Sequence, residues 1–338
     1  MKSRWIGITV ILISFFLGWL WISFQTLVDA PLSKSLKEPV IFEVMPGEAL
    51  PSIVASLKEN RLLDYPVWFR LLARLEDKSH KLKAGEYLLT PEMTPRELLD
   101  LLVSGKAHQR SLTLVEGWDF KQLIEAINTS ELLRHSLTGL SKEAIMERLG
   151  FQGIEPEGRF LSDTYHFPKG TRDIAFLKRA WLSMEKVLDE EWKNREANLP
   201  FKTAYEALIL ASIVEKETGR ADERPIIAGV FVRRLIKGMR LQTDPTVIYG
   251  MGEKYDGNIR KRDLLRDTPY NTYTRSGLTP TPIAMPGRAA INAVMHPAKG
   301  KSLYFVAKGD NSGSHVFSAT LKEHNRAVDY YQKKIGRK

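Results

Sequence analysis

The hydrophobic pattern of the chain opens with one long uninterrupted run. Residues 5 to 27 (WIGITVILISFFLGWLWISFQTL) contain no charged side chain, and about 20 apolar residues suffice for a helix to cross a hydrocarbon core. Lys2 and Arg4 precede the run and Lys34 and Lys37 follow it. The mild bias predicts that residues 1–4 stay in the cytoplasm. A cleaved signal peptide is the other reading, and Val28-Asp29-Ala30 resembles a cleavage site. The run, however, exceeds the roughly 7 to 15 residues of a signal-peptide core, so an uncleaved transmembrane anchor over 5–27 is expected.

Beyond a polar, proline-bounded linker at 28–39, the pattern alternates between short strands and helices. Val40 to Val44 reads as a strand, followed by a Pro46-Gly47 turn and apolar positions Ile53, Leu57 and Leu62 at near-helical spacing. Similar spacing recurs at Leu112 to Val115, Glu116-Gly117, and Leu123, Ile127 and Leu132. This strand, turn and helix unit is similar to LysM modules, small peptidoglycan-binding units, although two ordinary structural units would read the same way. Ala84 to Thr90 reads as a hairpin arm. Thr94-Pro95 starts a helix that stops before Gly105. Residues 141–199 read as mainly helical, broken at 150–167. Further helices are expected from Thr203 to a stop at Gly219, from Arg224 to Ile236, from Ala289 to Met295 and from Leu321 to Ile335. Short strands are expected at 303–306 and 315–317. The fold class is α+β: one N-terminal transmembrane helix, a LysM-like α/β module over 40–110, and a mixed helical and short-strand catalytic domain over 111–338.

Composition narrows the chemistry. There is no cysteine, which removes disulfides, thiolate metal sites and a cysteine nucleophile. The net charge of +10 favours anionic partners. Its basic residues are dispersed, without the aromatic-basic motif of a nucleic-acid binder, so no nucleic-acid partner is expected. His296, His315 and His324 lack zinc-ligand spacing. No Gly-x-Ser-x-Gly elbow, P-loop or dinucleotide fingerprint occurs.

The sharpest chemical candidate is Ser212-Ile-Val-Glu-Lys-Glu-Thr-Gly219, where two glutamates flank a lysine at a helix end. Residues two apart on a helix point roughly 200° from each other, so Glu215 and Glu217 cannot share a face. One should face a cleft, the other solvent or a neighbouring helix. A partly desolvated glutamate there would stay protonated near neutral pH, as a general acid requires. A solvated Glu-Lys-Glu surface is the bland alternative, and local pattern alone favours it. The runs Leu241 to Tyr249 and Pro269 to Tyr273 lack helix periodicity and interleave amides, hydroxyls and aromatics, which suits a carbohydrate groove.

Several blocks in one order complete the reading: LVEG, EGRFLSDTYHFPKGT, ASIVEKETG, GMRLQTDPTVIYGMG, YNTY, GLTPTPIAMPG, HPAKGKSLYFVAKGD and HVFSATLKEHN. Together they resemble the endolytic murein transglycosylase family, over nearly the whole chain. The resemblance implies a periplasmic catalytic domain on the inner membrane. It also implies lytic cleavage of nascent peptidoglycan glycan strands between N-acetylmuramic acid and N-acetylglucosamine, leaving 1,6-anhydro ends. In the family the second glutamate of the block is catalytic, which is Glu217 here. Glu215, Gln242, Asp244, Asn271 and Tyr273 are the candidate substrate-binding residues. No metal or organic cofactor is called for. Glycan strands and the membrane are the expected partners, with peptidoglycan synthases as further candidates. A muramidase-type hydrolase and a non-catalytic wall-binding scaffold are the rival readings.

Overall fold

A computed structural model describes residues 2–310 and 312–335. Residues 1, 311 and 336–338, which fall within the limits expected for the cytoplasmic end and the catalytic domain, lie outside the described residues. The chain divides into two compact units. The first comprises Met1–Arg110 with a short return at His166–Gly170, and the second Ser111–Tyr165 with Thr171–Lys338. The return at 166–170 was not expected from the sequence.

The first unit begins with α1 (Lys2–Val28), whose stretch Trp5–Val28 is long and apolar enough to cross a membrane. Its outward residues, Phe15 and Trp5 among them, are exposed, while Phe24 and Val28 at its end are buried. Then follow β1 (Val40–Val44), α2 (Leu50–Glu59), α3 (Pro66–Leu75), β2 (Gly85–Leu89) and α4 (Pro95–Ser104). The 84–90 segment is not a hairpin arm. β2 pairs antiparallel with β1, Val40 opposite Leu89 and Phe42 opposite Tyr87, with both helices in the connection. The sequence misled because a short alternating run shows that a strand exists but not which strand it pairs with. Ile53, Leu57, Phe69, Leu72, Leu98 and Leu102 are buried in one cluster with Tyr87 and Leu89. Thr94 caps α4 through a capping box with Glu97, and Gly105 ends the helix in the left-handed conformation, as Thr and Gly do at these positions.

The second unit is built around α8 (Ala204–Glu217). Every residue from Ala207 to Val214 is buried, the signature of a helix apolar on all sides and enclosed by others. It packs against α7 (Asp173–Lys193), α9 (Arg224–Ile236), α10 (Asp244–Met251) and α12 (Arg288–Met295). Around this core lie α5 (Phe120–Thr129), α6 (Lys142–Leu149) and α11 (Lys261–Leu265). Strands β3 (Arg110–Thr113) and β4 (Thr164–Phe167) lie where the chain passes between the units. β5 (Tyr304–Ala307) and β6 (His315–Ser318) form an antiparallel pair, Tyr304 opposite Ser318, against which α13 (Leu321–Ile335) packs. Two sequence readings change. α8 ends at Glu217, with Thr218 already extended, two residues before the expected stop at Gly219. The run 241–249, read as irregular, contains the start of α10, a helix of eight residues too short to display a 3.6-residue repeat.

Candidate active site

Because α8 is buried throughout, it delivers its last residues to a defined place. Glu215 and Glu217 diverge there. Glu215 turns toward α9 and is almost fully buried. It accepts a 3.0 Å hydrogen bond from the Gly287 N–H and lies 3.7 Å from the Arg224 guanidinium. Desolvation holds its carboxyl above the usual range, opposed by the Gly287 bond. Lys216, between them, is exposed and donates to the Gly117 carbonyl at 3.0 Å.

Glu217 faces the turn that leads into α10. The Thr243 hydroxyl donates to its Oε1. Part of the Glu217 side chain remains accessible, yet protein encloses most of its surroundings, and desolvation pushes its carboxyl up to about 7. The neighbouring Asp244 charge pushes the same way, whereas the Thr243 hydrogen bond and His315 pull it down. A carboxyl balanced near neutrality can both give and take a proton at physiological pH, the property required of one group that acts as acid and then as base.

The turn that carries Thr243 is held in an uncommon shape. Gln242 has φ of +51°, the left-handed region that non-glycine residues enter rarely and mostly under constraint. Several anchors impose it. The Gln242 N–H donates to the Thr272 carbonyl at 3.2 Å, and the Thr243 N–H to the Thr272 hydroxyl at 3.0 Å. Buried Arg234 donates to the carbonyls of Leu241 at 2.7 Å and Leu303 at 2.6 Å, tying the turn to the residue before β5.

Among the residues singled out from the sequence, Glu217, Gln242, Asp244 and Tyr273 come together. The Tyr273 hydroxyl donates to Asp244 Oδ1 at 2.5 Å. Burial and the nearby Asp244 and Glu217 carboxylates raise the Tyr273 phenol well above its ordinary value. Gln242 and Asp244 are exposed and can meet a ligand. Asn271 is buried, and its polar atoms are engaged within its own loop. Its Nδ2 donates to the carbonyls of Asp263, Leu264 and Arg266, and its Oδ1 accepts from the Tyr273 N–H. Glu215 lies apart from this group, in the Gly287 and Arg224 contacts.

Sequence reasoning passed over four residues that shape the site. Thr243 is one, although Thr-Asp-Pro is a readable helix start. Ser212, fully buried, accepts from the Ile283 N–H at 2.9 Å and so fastens the 279–287 loop to α8. Glu223 receives both the His315 N–H at 2.9 Å and His315 Nδ1 at 2.6 Å, which fixes the imidazole that faces Glu217. Glu157, almost fully buried, accepts from the Phe120 N–H at 3.1 Å and the Tyr249 hydroxyl at 3.0 Å. Desolvation pushes it up to about 7 as well. Nothing in the local sequence around these polar residues signals their burial.

The second unit thus places a single half-buried carboxyl, poised near neutrality, at the end of a core helix beside a polar turn. The YceG-like family model matches residues 42–330, and the chain belongs to that family. It is 31% identical over 318 residues to an endolytic murein transglycosylase of Bacillus subtilis (strain 168), covering 89% of this chain and 87% of that one. It is 26% identical to the endolytic murein transglycosylase of Streptococcus pneumoniae serotype 2, covering 91% of this chain and 61% of the longer relative. A crystal structure of a protein described as YceG-like from Listeria monocytogenes superposes with a TM-score of 0.51 at 29% identity, over 86% of this chain and 99% of that one.

Proposed function

We propose that this chain is an endolytic peptidoglycan lytic transglycosylase that cleaves glycan strands between N-acetylmuramic acid and N-acetylglucosamine with Glu217 as its acid and base. The observation that carries the reading is the desolvated Glu217 carboxyl, raised to about 7 and hydrogen-bonded by Thr243, in a chain 31% identical to a murein transglycosylase. Protonated Glu217 donates its proton to the glycosidic oxygen as the C1–O bond breaks. The resulting carboxylate accepts the proton of the muramic C6 hydroxyl as O6 bonds to C1. The carboxyl is restored, no water is consumed, and the muramic residue ends as a 1,6-anhydro sugar. One group serves both steps, whereas glycoside hydrolases commonly use two carboxylates. Gln242, Asp244 and Tyr273 orient the sugar and stabilise the oxocarbenium charge.

The remaining assignments extend from this reading. The Trp5–Val28 helix anchors the chain in the inner membrane with its N-terminus in the cytoplasm and the catalytic unit in the periplasm. There it acts on nascent strands near peptidoglycan synthases and terminates their elongation. The β1-α2-α3-β2 arrangement, two helices between antiparallel strands, supports a LysM-like role in holding glycan.

Mass spectrometry of purified peptidoglycan incubated with the protein tests the proposal. Muropeptides with 1,6-anhydro ends are expected, and none with Glu217→Gln. New reducing muramic ends would establish a muramidase instead, and an unchanged digest a binding scaffold.

A further inference from the structure

A cavity of about 1010 Å³ opens in the second unit. Glu217 is not among its lining residues, but the neighbouring Lys216 is. Pro245, Ile248 and Tyr249 also line it, from the same α10 that begins at Asp244 beside Glu217. The two helices that set the acid therefore also bound the cavity. Its volume lies at the top of the roughly 300 to 1,000 Å³ typical of small-ligand sites, enough for a branched or multi-residue ligand.

The lining is mixed in a particular way. Phe120, Tyr249, Tyr255 and Tyr270 give it aromatic walls, with Ile124 and Ile145 between them. Three ammonium groups, Lys121, Lys142 and Lys216, reach it, and so do four carboxyl groups, Asp119, Glu155, Glu157 and Glu253. Lys142 pairs with Glu155 at 3.0 Å and Lys121 with Glu253 at 2.6 Å, both at accessible positions. Such pairs contribute little and exchange readily for pairs with a ligand. A neutral sugar needs no such charges, and a polyanion would meet more carboxyl groups than ammonium groups. Paired charges of both signs beside apolar walls suit a zwitterionic peptide with small aliphatic side chains.

We infer that this cavity receives the short peptide branching from the muramic residue at the cleavage point, an inference that rests on reading the chain as a murein transglycosylase. Reaction at the muramic C1 brings that sugar's lactyl-linked peptide close to the acid. The rim lysines take the peptide carboxylates, accessible Glu155 takes an amine of a diamino residue, and the aromatic walls take alanine methyl groups. Peptide recognition here makes the enzyme select strands whose peptides are still attached.

The test compares full-length enzyme in detergent on two substrates: glycan strands bearing their peptides, and the same strands stripped of peptides by an amidase. Formation of 1,6-anhydro ends is followed by mass spectrometry and expressed as kcat/KM. The wild type is expected to favour peptide-bearing strands by about tenfold or more, a ratio that reads differential transition-state binding. Ile124→Trp, which fills the cavity, and Lys142→Ala, which removes a rim cation, should each bring the ratio toward one at matched thermal stability. Equal cleavage of both substrates by the wild type overturns the inference. So does an equal fall on both substrates in Ile124→Trp and Lys142→Ala, which would mark a glycan subsite. If Ile124→Trp does not fold, Lys142→Ala decides alone. Absence of anhydro ends from either substrate overturns the transglycosylase reading itself, and the inference with it.

Discussion

The Thr243 hydroxyl donates to the Glu217 carboxylate from the residue that immediately precedes α10. This bond stabilises the anionic form, against the desolvation that favours the protonated form. It leaves the second carboxyl oxygen for a ligand. Thr243 makes no capping bond to α10, so its hydroxyl can be removed without loss of a helix cap.

Thr243→Val should therefore keep the fold and move Glu217 upward. The alkaline limb of the pH profile of kcat/KM is expected to shift to higher pH, with a rate loss of about tenfold, the scale of one hydrogen bond to a charged group. A pH profile in the same position as the wild type's would show that this bond does not tune the reacting carboxyl.

Glu217→Gln should abolish cleavage, with a loss of about 10⁴-fold, the upper end of general acid-base contributions. Glu215→Gln should act on stability instead, because its carboxylate accepts from Gly287 and faces Arg224. A fall of about 1 to 3 kcal/mol is expected, seen as a lower Tm with most activity kept. Lys216→Ala should change stability little, because its ammonium is exposed. Anhydro-end formation by the three variants, compared at matched fractions folded, checks the assignment. A dead Glu215→Gln beside an active Glu217→Gln would exchange the two roles.

Glu157 and Glu217 both have folded pKa values raised from 4.5 to about 7. A raised value means that the folded state holds the proton more tightly than the unfolded chain. The associated stability is fully present below about pH 4.5 and is lost as pH rises through 7. For buried Glu157 the effect is on the order of 3 kcal/mol. Tm should fall between pH 5 and pH 8, and Glu157→Gln should flatten that fall. A Tm that rises across this interval and is unaltered by Glu157→Gln would contradict the burial argument.

Gly158 follows Glu157 with φ of +75°, and a Cβ there would lie 2.4 Å from Pro282 Cβ. Backbone strain and collision act together, so Gly158→Ala should destabilise by about 1 to 3 kcal/mol. Chemical denaturation measures the loss; an unchanged midpoint would show that the 279–287 loop yields to the added methyl.

Much of this architecture is legible from local signals. Thr94-Pro95 and Gly105 bracket α4 because capping chemistry is local. α13 spans Leu321–Ile335, the limits expected from the sequence. The divergence of Glu215 and Glu217 follows from helix geometry alone. The partners of these residues are another matter. That β2 pairs with β1 depends on the packing of α2 and α3 between them. The burial of Glu157 depends on α5 and α10 closing around it. Asn271 reads as a sugar ligand by residue type, but three carbonyls of its own loop use its amide. A side chain's chemistry is visible in the sequence, whereas competition for it arises only in the folded chain.

The end of α8 at Glu217 has an electrostatic consequence. The carbonyl groups of a helix's last turn have no intrahelical donors, and together they present about half a negative charge at its C-terminus. Here that charge lies at the Glu217 carboxyl, and it opposes ionisation in addition to burial. In the proposed mechanism, the same field favours the positive charge that develops at the sugar C1 once the proton has left, and it is fixed in place before the reaction begins. In that proposal, ending the helix at this residue, rather than one turn later, serves the proton before bond cleavage and the oxocarbenium after it.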